Sequence, residues 1–223
     1  MYLSKEPQKI MSMFDEISSY YDVMNNIISL GTHYIVKVLA IRELKIKPRS
    51  NILDLCCGTG DFTRIINRLY PRSKVIGVDF SLQMIKLAKL KNKNGVFIKA
   101  DCTDLPFKEN EFDYVTAGFG LRNIENRKIA LGEIYRVLKP GGMFLHLDFG
   151  YRNIFSRLFD LFVILIAKMF VKNSGNYEYL IKSKNDFPQP MELVKEFESH
   201  NFKLVKIRNY MFGIISVQIL EKV

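Results

Sequence analysis

The sequence predicts an α/β fold: a mostly parallel, doubly wound sheet with helices on both faces, ending in an antiparallel hairpin. Three observations carry this expectation. Apolar runs rich in branched residues alternate with helix-like segments through the middle of the chain, the pattern of successive βαβ units. The last two strand candidates lie too close together for a crossover helix. A chain of 223 residues, 48% of them hydrophobic, is long enough for one sizeable core and short for two.

Residues 1–50 show helical periodicity. Strands are then expected at Asn51–Leu55, Lys74–Asp79, Gly95–Lys99, Phe112–Thr116 and Met143–Phe149, with helices near 61–69, 82–92 and 126–138. The run Arg136-Val-Leu-Lys-Pro-Gly-Gly142 reads as a helix end followed by a turn into the fifth strand. A long stretch, 150–202, precedes strand candidates at 203–210 and 213–221, which only Met211 and Phe212 separate, so the two should pair as a hairpin. No repeat and no low-complexity linker divides the chain, and residues 1–223 read as one domain.

Lys and Arg number 33 against 23 Asp and Glu, a net charge of +10 that favours an anionic partner such as a membrane surface, an acidic ligand or nucleic acid. A lysine-rich soluble surface accounts for it equally well. The three cysteines, Cys56, Cys57 and Cys102, form no CxxC or Cys/His spacing, which points to a reducing compartment and to no metal site. The N-terminus lacks the apolar core of a signal peptide, and no run of about 18 uncharged apolar residues occurs, so a cytoplasmic protein is expected.

The strongest local signal is Asp54-Leu-Cys-Cys-Gly-Thr-Gly-Asp61, placed between the first strand and the next helix. Gly58 and Gly60 allow a sharp turn and close backbone approach to a ligand, and the helix presents free amides to it. Without that setting, the run would be a tight strand-to-helix turn. Asp79 ends the second strand, where a carboxylate accepts hydrogen bonds from both hydroxyls of a ribose; Ser81 is the better helix cap and leaves Asp79 free for this. After the third strand, in Lys99-Ala-Asp-Cys-Thr-Asp-Leu-Pro-Phe107, Asp101 is placed to accept from an adenine amino group and the Cys102 amide to donate to a ring nitrogen. Alone, Asp101 would be an ordinary turn residue. Together these groups outline an adenosyl-sized site, and the lack of a lysine after the glycines argues against a nucleoside triphosphate.

The runs Asp54–Asp61, Gly77–Ser81, Asp101–Phe107 and Arg136–Gly142 resemble the motif set of class I S-adenosylmethionine-dependent methyltransferases, which have a Rossmann-like sheet. Beyond them, Phe14–Asn26, Ser29–His33, Phe119-Gly-Leu-Arg-Asn123, Tyr177–Ser183 and the strand from Gly213 resemble the demethylmenaquinone and ubiquinone-precursor C-methyltransferase family across almost the whole chain. The resemblance implies S-adenosylmethionine as cofactor, with Thr59, Asp79, Asp101, Cys102 and Gly118 around it. By their place around an open α/β sheet, residues 1–50 read as an N-terminal helical substrate cap, 51–149 as a cofactor-binding core, 150–202 as a substrate or lid insertion and 203–223 as a C-terminal hairpin. Gly118 stands where relatives often carry Ser, and the chain has no Trp, with Tyr34 to Lys37 in place of the aromatic-basic pair of many relatives.

The implied reaction moves a methyl group to a ring carbon of a reduced prenylated quinone precursor: demethylmenaquinol, 2-polyprenyl-6-methoxy-1,4-benzoquinol, or both. The ring carbon becomes nucleophilic when an adjacent hydroxyl loses its proton, which requires a base or a stabiliser of the oxyanion. Arg122 is suited to holding the oxyanion or a proton-accepting water, with Asn123 fixing the geometry. The bland reading of Arg122 is a buried ion pair at a strand end. Tyr21, Asp22 and His33 are further substrate-side candidates. The apolar run Ile154–Phe170 carries Arg157, Asp160 and Lys168 and cannot span a bilayer; it reads as a core or homodimer helix, or as an interfacial helix on the inner face of an anionic membrane. The rival functions are an RNA or other small-molecule methyltransferase and a non-catalytic adenosyl-binding subunit of a quinone-synthesis complex. No Asn-Pro-Pro-Tyr-like motif and no cluster of interleaved basic and aromatic residues favours nucleic acid.

Overall fold

A computed structural model describes residues 6–18, 20–170 and 175–223; residues 1–5, Ser19 and the side chain of Tyr177, all within segments singled out above, lie outside the described part. Three helices come first: α1 (Pro7–Ile17), α2 (Tyr21–Ser29) and α3 (Thr32–Glu43). The alternating body follows as β1 (Asn51–Leu55), α4 (Asp61–Leu69), β2 (Lys74–Asp79), α5 (Leu82–Lys91), β3 (Val96–Lys99), β4 (Phe112–Gly118), α6 (Arg127–Val137) and β5 (Leu138–Phe149). Residues 150–202 contain α7 (Ile154–Phe170), α8 (Gly175–Asp186) and α9 (Pro190–Glu198), and the chain closes with β6 (Phe202–Tyr210) and β7 (Ile215–Lys222).

The strands form one seven-stranded sheet in the order β3-β2-β1-β4-β5-β7-β6. The first five are parallel, as their crossover connections require. β7 runs antiparallel between β5 and β6, so the hairpin enters the sheet with its second strand inside and its first at the edge. Three details differ from the sequence expectation. β4 continues to Gly118. β5 begins at Leu138, with Lys139 to Gly142 looping out as a bulge that turns at Gly141 (φ +70°), the register jumping from Phe112↔Leu138 to Tyr114↔Met143. The hairpin is joined by a 3-10 turn over Met211–Gly213, with Met211, Phe212 and Gly213 at positive φ, so Gly213 belongs to the connection.

Alternating strand residues face two apolar layers. Leu53, Leu55, Val115 and Phe144 pack with Leu131 and Ile134 of α6 and with Leu193 and Phe197 of α9. Ile52, Tyr114 and Leu145 pack on the opposite face with Val36, Ala40 and Ile41 of α3 and Ile65 and Ile66 of α4. Thus α3 and α9 are sheet-covering helices, while α1, α2, α7 and α8 lie beyond the carboxyl ends of the strands, where open α/β sheets bind ligands. No described helix is long and apolar enough to cross a membrane. Among the described residues, no group of three or more His, Cys, Asp or Glu could hold a metal ion.

Candidate functional site

The strand order reverses between β1 and β4, and a cavity opens there. Cys56 and Gly58 line it after β1, Asp79, Phe80 and Ser81 after β2, Asp101, Cys102 and Thr103 after β3, and Gly118 and Phe119 at the end of β4. Ile10, Met11 and Phe14 of α1 form its outer wall. Two residues on its rim, Cys56 and Phe119, adopt left-handed backbone at φ 51° and 59°. Such geometry costs about 1–3 kcal/mol per residue and persists only where surrounding packing enforces it.

Asp79 is fixed by two amides: Gly58 N–H donates to Oδ2 at 2.8 Å and Ser81 N–H to Oδ1 at 2.9 Å. Burial pushes its carboxyl up from the usual range, against the pull of those amides. Ser81 is the helix cap the sequence predicts, its Oγ accepting from Met84 N–H at 3.1 Å, and its hydroxyl also donates to Asp15 of α1 at 2.5 Å. Asp101 turns the chain after β3, its Oδ1 accepting from the Thr103 amide at 2.9 Å and hydroxyl at 2.8 Å. Cys56 and Cys102 lie with their sulfurs 3.5 Å apart. That hydrogen bond and burial push the Cys56 thiol well up, and burial does the same to Cys57, so neither is poised as a nucleophile.

The two remaining glycine-motif residues sit elsewhere. Gly60 is the left-handed entry to α4 at φ +83°, and a Cβ there would come within 2.9 Å of the Phe97 ring. Thr59 is buried with its hydroxyl donating to Asp22 Oδ1 at 2.8 Å. Neither lines the cavity. A Cβ at Gly118 would come within 2.5 Å of Phe62, so the glycine at this position is matched to a core phenylalanine of α4. Behind the loop, fully buried Asp54 accepts from Thr63 N–H, Thr63 Oγ1 and Thr116 Oγ1, tying β1 to α4 and β4. Burial pushes its carboxyl up to about 6.

A second, smaller cavity adjoins the first, and Phe14, Tyr21 and Asn123 line both. Arg122 and Tyr179 of α8 complete it. Arg122 sits on the 3-10 turn Leu121–Asn123 after β4 and is 4% exposed. Its Nη1 donates to Phe119 O at 2.6 Å and to Asp148 Oδ1 at 2.9 Å, while its guanidinium lies 5.2 Å from the centre of the Phe149 ring. The buried ion pair anticipated for Arg122 is therefore present, and the residue borders the cavity as well. The Tyr179 hydroxyl donates to Asn123 Oδ1 at 3.4 Å, and burial pushes that phenol up.

Asp22 and His33 face a third, charged pocket with Asp61, Arg64 and Lys91. Asp22 pairs with Lys91, and His33 Nδ1 meets Ser29 Oγ at 2.6 Å. Burial, then Lys37, holds His33 below its ordinary value, so it is neutral near pH 7. The structure thus brings Tyr21, Arg122 and Asn123 together and sets Asp22 and His33 apart from them.

The ubiE/COQ5 methyltransferase family profile matches residues 2–222. The chain belongs to that family. It is 38% identical to the demethylmenaquinone methyltransferase of Staphylococcus carnosus, over 96% of this chain and 93% of that one. It is 36% identical to that of Staphylococcus haemolyticus, over 95% and 93%. Among solved structures, an S-adenosylmethionine-dependent methyltransferase from Thermotoga maritima superposes with a TM-score of 0.70 at 20% identity, covering 96% of this chain and all of the other. The [4+2]-cyclase SpnF superposes with a TM-score of 0.73 at 14% identity, covering 96% and 95%. Likeness at those identities establishes the fold, and the cyclase illustrates that the fold alone does not name a reaction.

Membership of that methyltransferase family makes S-adenosylmethionine the methyl donor, and the strand-end cavity suits it: the carboxylates of Asp79 and Asp101 and the apolar Phe80 and Met84 all line it. Sequence reasoning missed those two flanking side chains, the α1 wall and Tyr179. It also missed Asp148, although an Asp in a largely apolar strand is itself a signal of a buried partner.

Proposed function

We propose that this methyltransferase moves a methyl group to a ring carbon of a reduced prenylated quinone precursor, demethylmenaquinol foremost, with the corresponding benzoquinol as a second acceptor. The observation that carries this reading is the small cavity beside Arg122, which shares Phe14, Tyr21 and Asn123 with the strand-end cavity. An aromatic ring there would lie against the adenosyl site. The names of the Staphylococcus relatives support the choice of ring.

Asp79 would hold the ribose hydroxyls, Asp101 and the Cys102 amide the adenine, and Gly58 and Gly118 the backbone side of S-adenosylmethionine, which supplies an electrophilic methyl group. The permanent cation of Arg122 would stabilise the oxyanion formed as the quinol loses its proton, or orient the water that takes it. Asn123, held by Tyr179, would fix the ring hydroxyl, and Phe14, Ile17 and Tyr21 would keep bulk water from the ring.

A prenylated substrate resides in a bilayer, and one face of α7 is suited to lie on it. Ile154, Phe155, Leu158, Leu161, Phe162, Leu165 and Met169 are exposed on a single helical stripe, flanked by exposed Arg157 and Lys168, while Val163 and Ala167 are buried on the opposite side. Phe212 stacks on Phe155 at 4.7 Å and extends the stripe. Labelled methyl transfer from S-adenosylmethionine to chemically reduced demethylmenaquinol, to the benzoquinol and to bulk RNA tests the assignment. A ring-methylated quinol is expected; methylated RNA with no quinol product would overturn it. In flotation with anionic vesicles the protein should rise with the lipid, and Leu161→Glu/Leu165→Glu should abolish this.

A further inference from the structure

Arg122 also contacts a buried polar cluster, His146, Asp148, Ser216 and Gln218, none of which lines the small cavity and which the reaction scheme leaves unused. His146 and Asp148 share one face of β5, and each faces a polar partner on β7, with His146 in register with Gln218 and Asp148 with Ser216. All four are at most 1% exposed. Gln218 Nε2 donates to Ser216 Oγ at 3.0 Å, which turns Gln218 Oε1 toward His146 Nδ1 at 2.7 Å. With the Gln218 amide in this orientation, Nδ1 carries the proton and Nε2 is left as an acceptor. Asp148 Oδ1 accepts from Arg122 Nη1 at 2.9 Å and from Phe149 N–H at 2.8 Å. Its other oxygen, Oδ2, lies 4.0 Å from His146 Nε2, acceptor facing acceptor.

Among the described residues, three buried side-chain atoms have no hydrogen-bond partner: Arg122 Nε, His146 Nε2 and Asp148 Oδ2. They belong to one cluster and comprise one donor and two acceptors. An unpartnered buried polar group costs about 1–3 kcal/mol, and three at one place call for a shared ligand. A water molecule donates twice and accepts twice, which meets all three requirements. We propose that one buried water binds between Arg122 Nε, His146 Nε2 and Asp148 Oδ2, and that His146 acts through it as a positioning residue that keeps Asp148 against Arg122.

The proposal rests on the reading of Arg122 as the group that acts at the acceptor ring, and it adds a pH dependence. Burial holds His146 below the ordinary histidine value, so its acceptor is bare at neutral pH. Protonation turns Nε2 into a donor that reaches Asp148 directly, displaces the water and competes with Arg122 for the carboxylate. The groups facing the imidazole are Asp148 on its own strand, Arg122 on the 3-10 turn, Gln218 on β7, Arg127 at the start of α6, and the rings of Phe187 and Phe197.

The test compares wild type with His146→Leu, His146→Asn and Arg122→Ala. Turnover is followed against pH, and affinity for S-adenosylhomocysteine is measured separately. His146→Leu should lower kcat about tenfold with cofactor affinity unchanged. His146→Asn, which keeps an acceptor but cannot titrate, should restore most of the rate and abolish the acid limb of the wild-type profile. An acid limb that persists in His146→Asn, or wild-type turnover in His146→Leu, would overturn the role of His146. Nitrogen-15 NMR of the wild-type imidazole should show the Nδ1–H tautomer without any turnover; the Nε2–H tautomer would overturn the water site. Arg122→Ala that keeps full activity defeats the parent reading instead, which separates the two failures.

Discussion

In the strand-end cavity the ends of β1 to β4 each contribute a short segment carrying most of the polar groups, whereas the small cavity beside Arg122 is assembled from α1, α2, the turn after β4 and α8, segments far apart in the chain. The first is set by backbone: parallel pairing places Asp79 and Asp101 in line, and amides hold the Asp79 carboxylate. The second depends on how helices settle over the sheet. Cofactor binding should therefore depend chiefly on the strand ends, and turnover on how α2, α8 and the turn after β4 settle beside them.

The largest expected effect breaks the second region alone. Arg122→Ala should lower kcat by about 10²–10³, the usual loss when an oxyanion stabiliser is removed, while affinity for S-adenosylhomocysteine in equilibrium titration stays within about twofold. A parallel loss of affinity would mean that the two regions are one unit. Asp79→Ala makes the reverse cut: cofactor affinity by calorimetry should fall about 10- to 100-fold, the loss of one or two charge-assisted hydrogen bonds, with less change in kcat at saturating cofactor. The smallest effect belongs to the charged pocket. His33→Ala should leave both parameters within about twofold, the range of changes away from a site; a larger loss of turnover would draw that pocket into the substrate region.

What the sequence made legible follows the same division. Five parallel strands, their helices and the polar strand-end residues lie in contiguous runs whose local chemistry dictates their conformation, and Gly58, Asp79, Asp101, Cys102 and Gly118 do line the cavity. Thr59 and Gly60 belong to the same motif but turn inward, one to Asp22 and the other against Phe97, which spacing does not reveal. Asp22 follows Tyr21 directly, yet successive helix residues point about 100° apart, so one faces the cleft and the other Lys91. The interior place of β7 was legible in principle. Lys203, Lys206 and Arg208 along β6 mark a sheet edge, and the near-continuous burial of β7 marks a strand covered on both faces.

Because β7 lies between β5 and β6, the chain leaves the ribosome in an order that its sheet cannot use. β6 is synthesised before β7, the strand it pairs with, so among the described strands its backbone has no sheet neighbour until Ile215–Lys222 has been made. Meanwhile β5 presents an open edge, and Leu193 and Phe197 of α9 lack Leu220, part of the surface they pack on. The last places in the sheet fill together, after translation has passed Ile215. A nascent chain halted before that point carries an unpaired hydrophobic edge, the kind of surface on which incomplete chains aggregate.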